Sequence, residues 1–162
     1  MAARIATIGV YGFNAEGFLA ALREAGVGLV VDVRQRRGVR GPEYAWANSK
    51  RLQASLAKAA LGYVHLKQLA PTTELRQVQY REDERIGEGK RSRTHLAPEY
   101  ARRYREEILA VADLSPLLDL AETELPALLC VERDPEACHR SLIAERLARE
   151  QGFETTHLRP GD

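Results

Sequence analysis

The sequence predicts an α/β domain built on a mostly parallel sheet of about five strands, with helices on both faces. Two observations carry this. Short apolar runs rich in β-branched residues recur along the chain, and segments of helical period separate them. The 162 residues suit one domain over 1–162, and a charged insertion or flap is expected over 67–97.

The elements follow in order. Arg4 to Val10 reads as a buried strand ending at Gly9 and Gly12. Asn14 is a good helix N-cap, and Phe18, Leu19, Leu22 and Ala25 recur behind it at helical spacing before Gly26. Val27 to Val33 is a second strand, so the first thirty or so residues form a βαβ unit with a right-handed crossover. A loop over Gln35 to Glu43 leads to a helix carrying Leu52, Leu56 and Ala59-Ala60 on one face. Tyr63 to Leu66 is a third strand. From Lys67 to Pro98 no clear period survives, and so long a polar connection is either functional or mobile. Pro98 to Ala112 is helical, Ser115-Pro116 opens a second short helix, and Pro126 to Glu132 is a fourth strand. Cys138 to Gln151 is a helix stopped by Gly152, and Phe153 to Leu158 is the last strand.

Composition narrows the function. With 24 basic and 23 acidic side chains, overall charge predicts no nucleic-acid partner, so any such argument rests on local clustering. No apolar run approaches the roughly 18 residues a membrane span needs. The Met1-Ala2-Ala3-Arg4 start has no signal-peptide pattern, and two cysteines cannot build a disulfide framework. A cytoplasmic protein without membrane attachment is expected.

In an open parallel sheet, ligands bind beyond the carboxyl ends of the strands. Those ends carry Tyr11, Asp32-Val33-Arg34, His65, Glu132 and Cys138-His139-Arg140. Cys138 falls at a helix start, where unpaired N–H groups favour a thiolate and attract an anion. His139 suits acid–base work, Arg140 suits a carboxylate or phosphate, and Glu132 would partner His139 or an arginine. The alternative is packing: Cys130 as a small core residue, and Cys138 on the buried face it shares with Leu142. A Cys130–Cys138 disulfide fits the separation but not a reducing compartment. C-x-x-C spacing is absent, so no metal site and no cofactor are expected. A phosphatase-type loop would need an arginine six positions after the cysteine, where Ala144 and Glu136 stand.

A second cluster, Arg34, Arg36, Arg37 and Arg40, holds four arginines within seven residues. On one reading Asp32 orients an arginine, Arg36, Arg37 and Arg40 line an anion-binding rim, and Arg34, Arg40 and Arg140 hold the anion. On the other, Asp32–Arg34 is a structural pair beside a solvated loop. Tyr44 and Trp46 could stack on a base or anchor the next helix. Within the charged insertion, Lys90-Arg91-Ser92-Arg93 with His95 is the one purely basic stretch; it reads as a solvated flap or as a lid over a polyanion.

These residues resemble a known family. Thr7-Ile8-Gly9, Leu29 to Arg34, Gly62-Tyr63 with His65-Leu66, and Leu128-Leu129-Cys130 followed by Glu132 and Cys138-His139-Arg140 look like the bacterial and archaeal domain of unknown function 488. The resemblance runs over nearly the whole chain. It implies a compact Rossmann-like three-layer fold and a site, but no reaction. The chain departs from the family pattern at Tyr11, where a serine is usual, and at Arg37 and Val39, where proline and serine are usual. The leading expectation is an enzyme-like anion site, with Cys138 or His139 as nucleophile or acid–base group, for a nucleotide or nucleic-acid phosphate. The alternatives are a non-catalytic module that binds nucleic acid or protein, and a thiol redox or sulfur-handling protein using Cys130 and Cys138.

Overall fold

The computed structural model describes residues 3–161, so the Met1-Ala2 start lies outside the described residues. Five strands, β1 (Arg4–Ile8), β2 (Leu29–Asp32), β3 (Gly62–His65), β4 (Pro126–Leu129) and β5 (Glu154–Leu158), form one sheet in the order β3-β2-β4-β1-β5. Every pairing is parallel. Six α-helices accompany them: α1 (Ala15–Glu24), α2 (Ser49–Lys58), α3 (Thr73–Ile86), α4 (Pro98–Tyr104), α5 (Ser115–Thr123) and α6 (His139–Gln151). Together they make a Rossmann-like three-layer α/β fold.

Side-chain alternation along the strands splits the core in two. Ile8, Val30 and Leu129 meet Phe18 and Leu22 of α1 and Leu52 and Leu56 of α2 on one face. Ile5, Val31 and Leu128 meet α3, α4, α5 and α6 on the other, with Leu75, Tyr104, Leu117 and Ile143 among the buried contacts. Each such side chain, fully buried, contributes roughly 1.5–3 kcal/mol. The inner strands β2 and β4 are buried at every position, as a sheet covered on both faces requires. Among the described residues, no helix is long and apolar enough to cross a membrane.

Local signals explain the boundaries. Asn14 caps α1 by accepting a hydrogen bond from Gly17 N at 2.7 Å. β2 and β4 end earlier at their carboxyl ends than their apolar runs predict, at Asp32 and Leu129, and Cys130 to Glu132 beyond β4 line the site. The expected helix from Pro98 to Ala112 is α4 continued by a π-helical turn over Arg105–Leu109. The structure corrects the insertion most. Thr73–Ile86 is a regular 14-residue helix, capped by the Thr72 hydroxyl on Leu75 N and ended by Gly87 in the left-handed region at φ 78°. Its buried face mixes Leu75 and Val78 with Gln79 and Asp83, so the apolar period is broken by two polar residues that are satisfied internally. This segment is packed as a wall.

Candidate functional site

At the end of β2, Asp32 is fully buried and engages Arg34 side-on. Its Oδ1 accepts from Arg34 N at 3.1 Å and Nε at 2.9 Å, and its Oδ2 accepts from Arg34 Nη2 at 2.9 Å. The Tyr63 hydroxyl donates to Oδ2 at 2.5 Å, and Arg34 Nη1 donates to Ala47 O at 3.0 Å. Burial, reinforced by Asp32, pushes the Tyr63 phenol up, so it stays a donor. Asp32 thus orients Arg34, and that guanidinium ties β2 to the segment preceding α2.

Arg140 has a different task from the one its sequence position suggested. It is fully buried, and its donors reach Thr7 Oγ1 at 3.3 Å, Glu132 O at 2.6 Å and Arg133 O at 3.1 Å. It clamps the turn leaving β4 against β1 and α6. Gly9 permits this approach: a Cβ there would lie 1.9 Å from Glu132 O and 3.1 Å from Arg140 Nη1. Arg34 and Arg140, both expected to hold an anion, direct these donors to acceptors of the protein itself.

The chemistry gathers at the start of α6. Cys138 is its N-cap in an extended conformation (φ −142°), and its thiol makes no capping bond. His139 Nε2 lies 2.8 Å from Val33 O. A carbonyl can only accept, so Nε2 carries a hydrogen and the lone pair of the neutral ring sits on Nδ1. Nδ1 lies 3.6 Å from Cys130 Sγ and 3.7 Å from Cys138 Sγ. The Tyr104 ring packs against the imidazole at 5.4 Å, and its hydroxyl is anchored on Leu69 O at 2.6 Å. Burial opposes charge on His139, but Cys130, the Val33 carbonyl and Glu132 outweigh it and raise the ring's basicity. Both cysteines are free and buried.

Glu132 lies beside them. The Cys130 thiol donates to its Oε2 at 3.2 Å, and Arg93 Nη1 donates to its Oε1 at 3.0 Å. Burial disfavours this carboxylate, yet Arg93, Lys90 and His139 hold it down at about 2. Burial pushes the Cys130 thiol up, and neighbouring Cys138 and Glu132 add to the effect. Cys130 is thus a thiol bonded to a carboxylate, and Cys138 Sγ stands beside Nδ1. Glu132 meets an arginine rather than bonding His139 directly. Arg93 also pairs with Asp83 through Nη2 at 2.7 Å, and Gln79 Nε2 donates to Asp83 Oδ1 at 2.9 Å. Burial works against the Arg93 charge, and the two carboxylates more than restore it.

These groups line a cavity of about 50 Å³, room for a few water molecules or one small anion. Its floor holds Cys130, Cys138 and His139, and its mouth holds Arg36, Arg76 and Lys90. Among the described residues none of these three cations is ion-paired; Arg76 bonds only to neutral Gln35 and Tyr80, at 2.8 Å each. Tyr11 and Arg40 lie outside this cavity, in a neighbouring groove that shares Arg36, Arg76 and Lys90. There Arg91 packs over Tyr11 and Tyr44 at 5.3 and 5.1 Å and donates to Arg40 O.

Asp32, Arg34, Glu132, Cys130, Cys138, His139 and Arg140 all meet at one rim of the sheet, with Arg34, Cys130, Glu132, Cys138 and His139 on the cavity wall. Sequence reasoning missed Arg93, Asp83 and Gln79 as members of the site. The signal was present in Thr72 as a cap and Gly87 as a stop, which bracket the helix that delivers two of them. The sulfurs of Cys130 and Cys138 and the Nδ1 of His139 also lie within 4.8 Å of one another, a cluster of metal-ligand type. A family model described as Domain of unknown function DUF488 matches residues 14–147, well over half of the chain. No curated protein and no solved structure matches.

Proposed function

The chain belongs to the DUF488 family, and from that premise we propose that it uses Cys138 as a thiolate nucleophile on the phosphorus of an anionic substrate, forming an S–P bond as the P–O bond to the leaving alcohol breaks and His139 hands its proton to that alcohol. The substrate class is a phosphate-bearing compound, a nucleotide or a nucleic-acid end, whose oxyanion sits among Arg36, Arg76 and Lys90. His139 takes the Cys138 proton at Nδ1, while Val33 O keeps the ring in the productive tautomer. Glu132 stabilises the resulting imidazolium without becoming protonated. Cys130 remains a thiol and donates to Glu132. The observation that carries this reading is the imidazole nitrogen placed against Cys138 Sγ at the floor of a cavity whose mouth cations form no ion pair among the described residues.

The test is alkylation of metal-free native protein by iodoacetamide, mapped by mass spectrometry. Cys138 is expected to react before Cys130, and inorganic phosphate or a nucleoside monophosphate to slow it. A Cys138 that stays inert until the protein unfolds removes the nucleophile.

A second reading, dithiol chemistry, draws on the closeness of the two sulfurs. A small disulfide oxidant would accept two electrons and two protons from Cys130 and Cys138, leaving a protein disulfide and two reduced thiols. Trapping of both cysteines together by mild oxidant supports that reading, and independent modification of Cys138 alone argues against it.

A further inference from the structure

The three donor atoms on the cavity floor have a geometry that proton transfer alone does not require. His139 Nδ1 stands 3.6 Å from Cys130 Sγ and 3.7 Å from Cys138 Sγ, and all three atoms fall within 4.8 Å of one another. Around a tetrahedral zinc ion, with Zn–S about 2.3 Å and Zn–N about 2.0–2.1 Å, adjacent sulfur and nitrogen donors lie about 3.6 Å apart. Both sulfur–nitrogen separations already match that spacing. Nδ1 is also the nitrogen left with a lone pair, because Nε2 donates to Val33 O at 2.8 Å. A backbone carbonyl on the far nitrogen is the usual way a ligating histidine is oriented.

We propose that Cys130, Cys138 and His139 bind one Zn²⁺ ion through Sγ, Sγ and Nδ1, with the fourth position open to the cavity. Charge supports the assignment. Two thiolates and a neutral imidazole around a divalent ion make a neutral complex, and a neutral complex is the one that burial penalises least. Arg34, Arg36, Lys90 and Arg93 line the same cavity. They would repel a bare cation but have little quarrel with the neutral set. Binding releases the two thiol protons to solvent. Cys130 exchanges its hydrogen bond to Glu132 for the metal, and Glu132 keeps its ion pair with Arg93. Two thiolates, one imidazole and an open position form a set that catalytic zinc uses. The fourth ligand would be water or the oxyanion that the mouth cations collect. The eight-residue separation of the cysteines hides this site from any C-x-x-C pattern. The inference stands independently of the nucleophile reading, since the mouth cations serve either state.

The experiment titrates the metal-free full chain with Zn²⁺ against a chromophoric chelator, and in parallel with Co²⁺ as a spectroscopic probe. One ion per chain is expected, with the intense visible bands of four-coordinate cobalt and a near-ultraviolet thiolate charge-transfer band. Stoichiometric Zn²⁺ is expected to protect both cysteines of the wild type from iodoacetamide, a readout that needs no variant. Cys130→Ser, Cys138→Ser and His139→Gln, each checked for fold by circular dichroism, are expected to weaken binding by more than the roughly 100-fold that loss of an outer-shell partner causes. Three outcomes overturn the site: no saturable uptake, weak octahedral cobalt bands, or undiminished affinity in the double variant Cys130→Ser plus Cys138→Ser. If zinc binds while phosphate leaves the alkylation of metal-free protein unchanged, the metal site stands and the anion reading fails. The reverse pattern separates them the other way.

Discussion

Two sets of cations stand at and around this cavity's rim of the sheet, and they behave oppositely. Arg34, Arg93 and Arg140 are 2%, 6% and 0% exposed, and each is committed to acceptors of the protein itself. Arg36, Arg76 and Lys90 stand at the mouth with no carboxylate partner among the described residues. The inner set ties the ends of β2, α3 and α6 to neighbouring segments; on the proposed reading the outer set is what a ligand meets. Positive charge near a thiol therefore does not by itself identify a ligand-binding group. Free donors do.

The largest effect that can break this contrast is in the inner set. Arg93→Ala would leave Asp83 and Glu132 buried without their shared partner, and loss of one member of a buried ion pair typically costs about 3–5 kcal/mol. Urea denaturation checks it. A loss below about 1 kcal/mol, the value of an exposed pair, would place Arg93 in the outer class.

Next comes acid. Glu132 is held at about 2, below its ordinary value. A carboxylate depressed in the folded state stabilises above its unfolded pKa, and that stability is lost as pH falls through the folded one. The window runs from about pH 4.5 down to about pH 2, with a loss on the order of 3 kcal/mol. Comparing the pH dependence of unfolding in wild type and Glu132→Gln isolates it, and the variant is expected to have the flatter acid limb.

Gly9→Ala tests the Arg140 clamp. The added methyl would meet Glu132 O at 1.9 Å, and because the obstacle is backbone, a cost of about 1–3 kcal/mol is expected in thermal or urea unfolding. The smallest stability effect belongs to the mouth. Arg36→Ala plus Lys90→Ala is expected to stay within about 0.5 kcal/mol of wild type while phosphate protection of Cys138 weakens by about tenfold, which binding measurements resolve as roughly 1.4 kcal/mol.

Much of the fold was legible because local signals agreed. The apolar run from Val27 to Val33, within which β2 forms over Leu29–Asp32, the Asn14 cap and the Gly152 stop each act within a few residues, and all three appear in the structure. The helix over Thr73–Ile86 was not legible, since Gln79 and Asp83 occupy its buried face and are satisfied by each other and by Ala97 and Arg93, residues in another segment. The site divides in the same way. Asp32 with Arg34 is a pair two residues apart that sequence could suggest. The bond from His139 to Val33 O spans 106 residues and fixes the tautomer, yet a backbone acceptor leaves no mark in the sequence. The clamp made by Arg140 was hidden for a related reason: two of its three acceptors are main-chain carbonyls, which every residue carries.

The most direct measurement is the ratio of alkylation rates at Cys138 for anionic iodoacetate and neutral iodoacetamide, in native metal-free protein at low salt. If unpaired cations guard a reachable thiol, the ratio exceeds that of a free cysteine peptide, falls as salt is added, and falls again in Arg36→Ala plus Lys90→Ala. A ratio equal to the peptide's, unchanged by salt or by those substitutions, would contradict the division between framework and mouth.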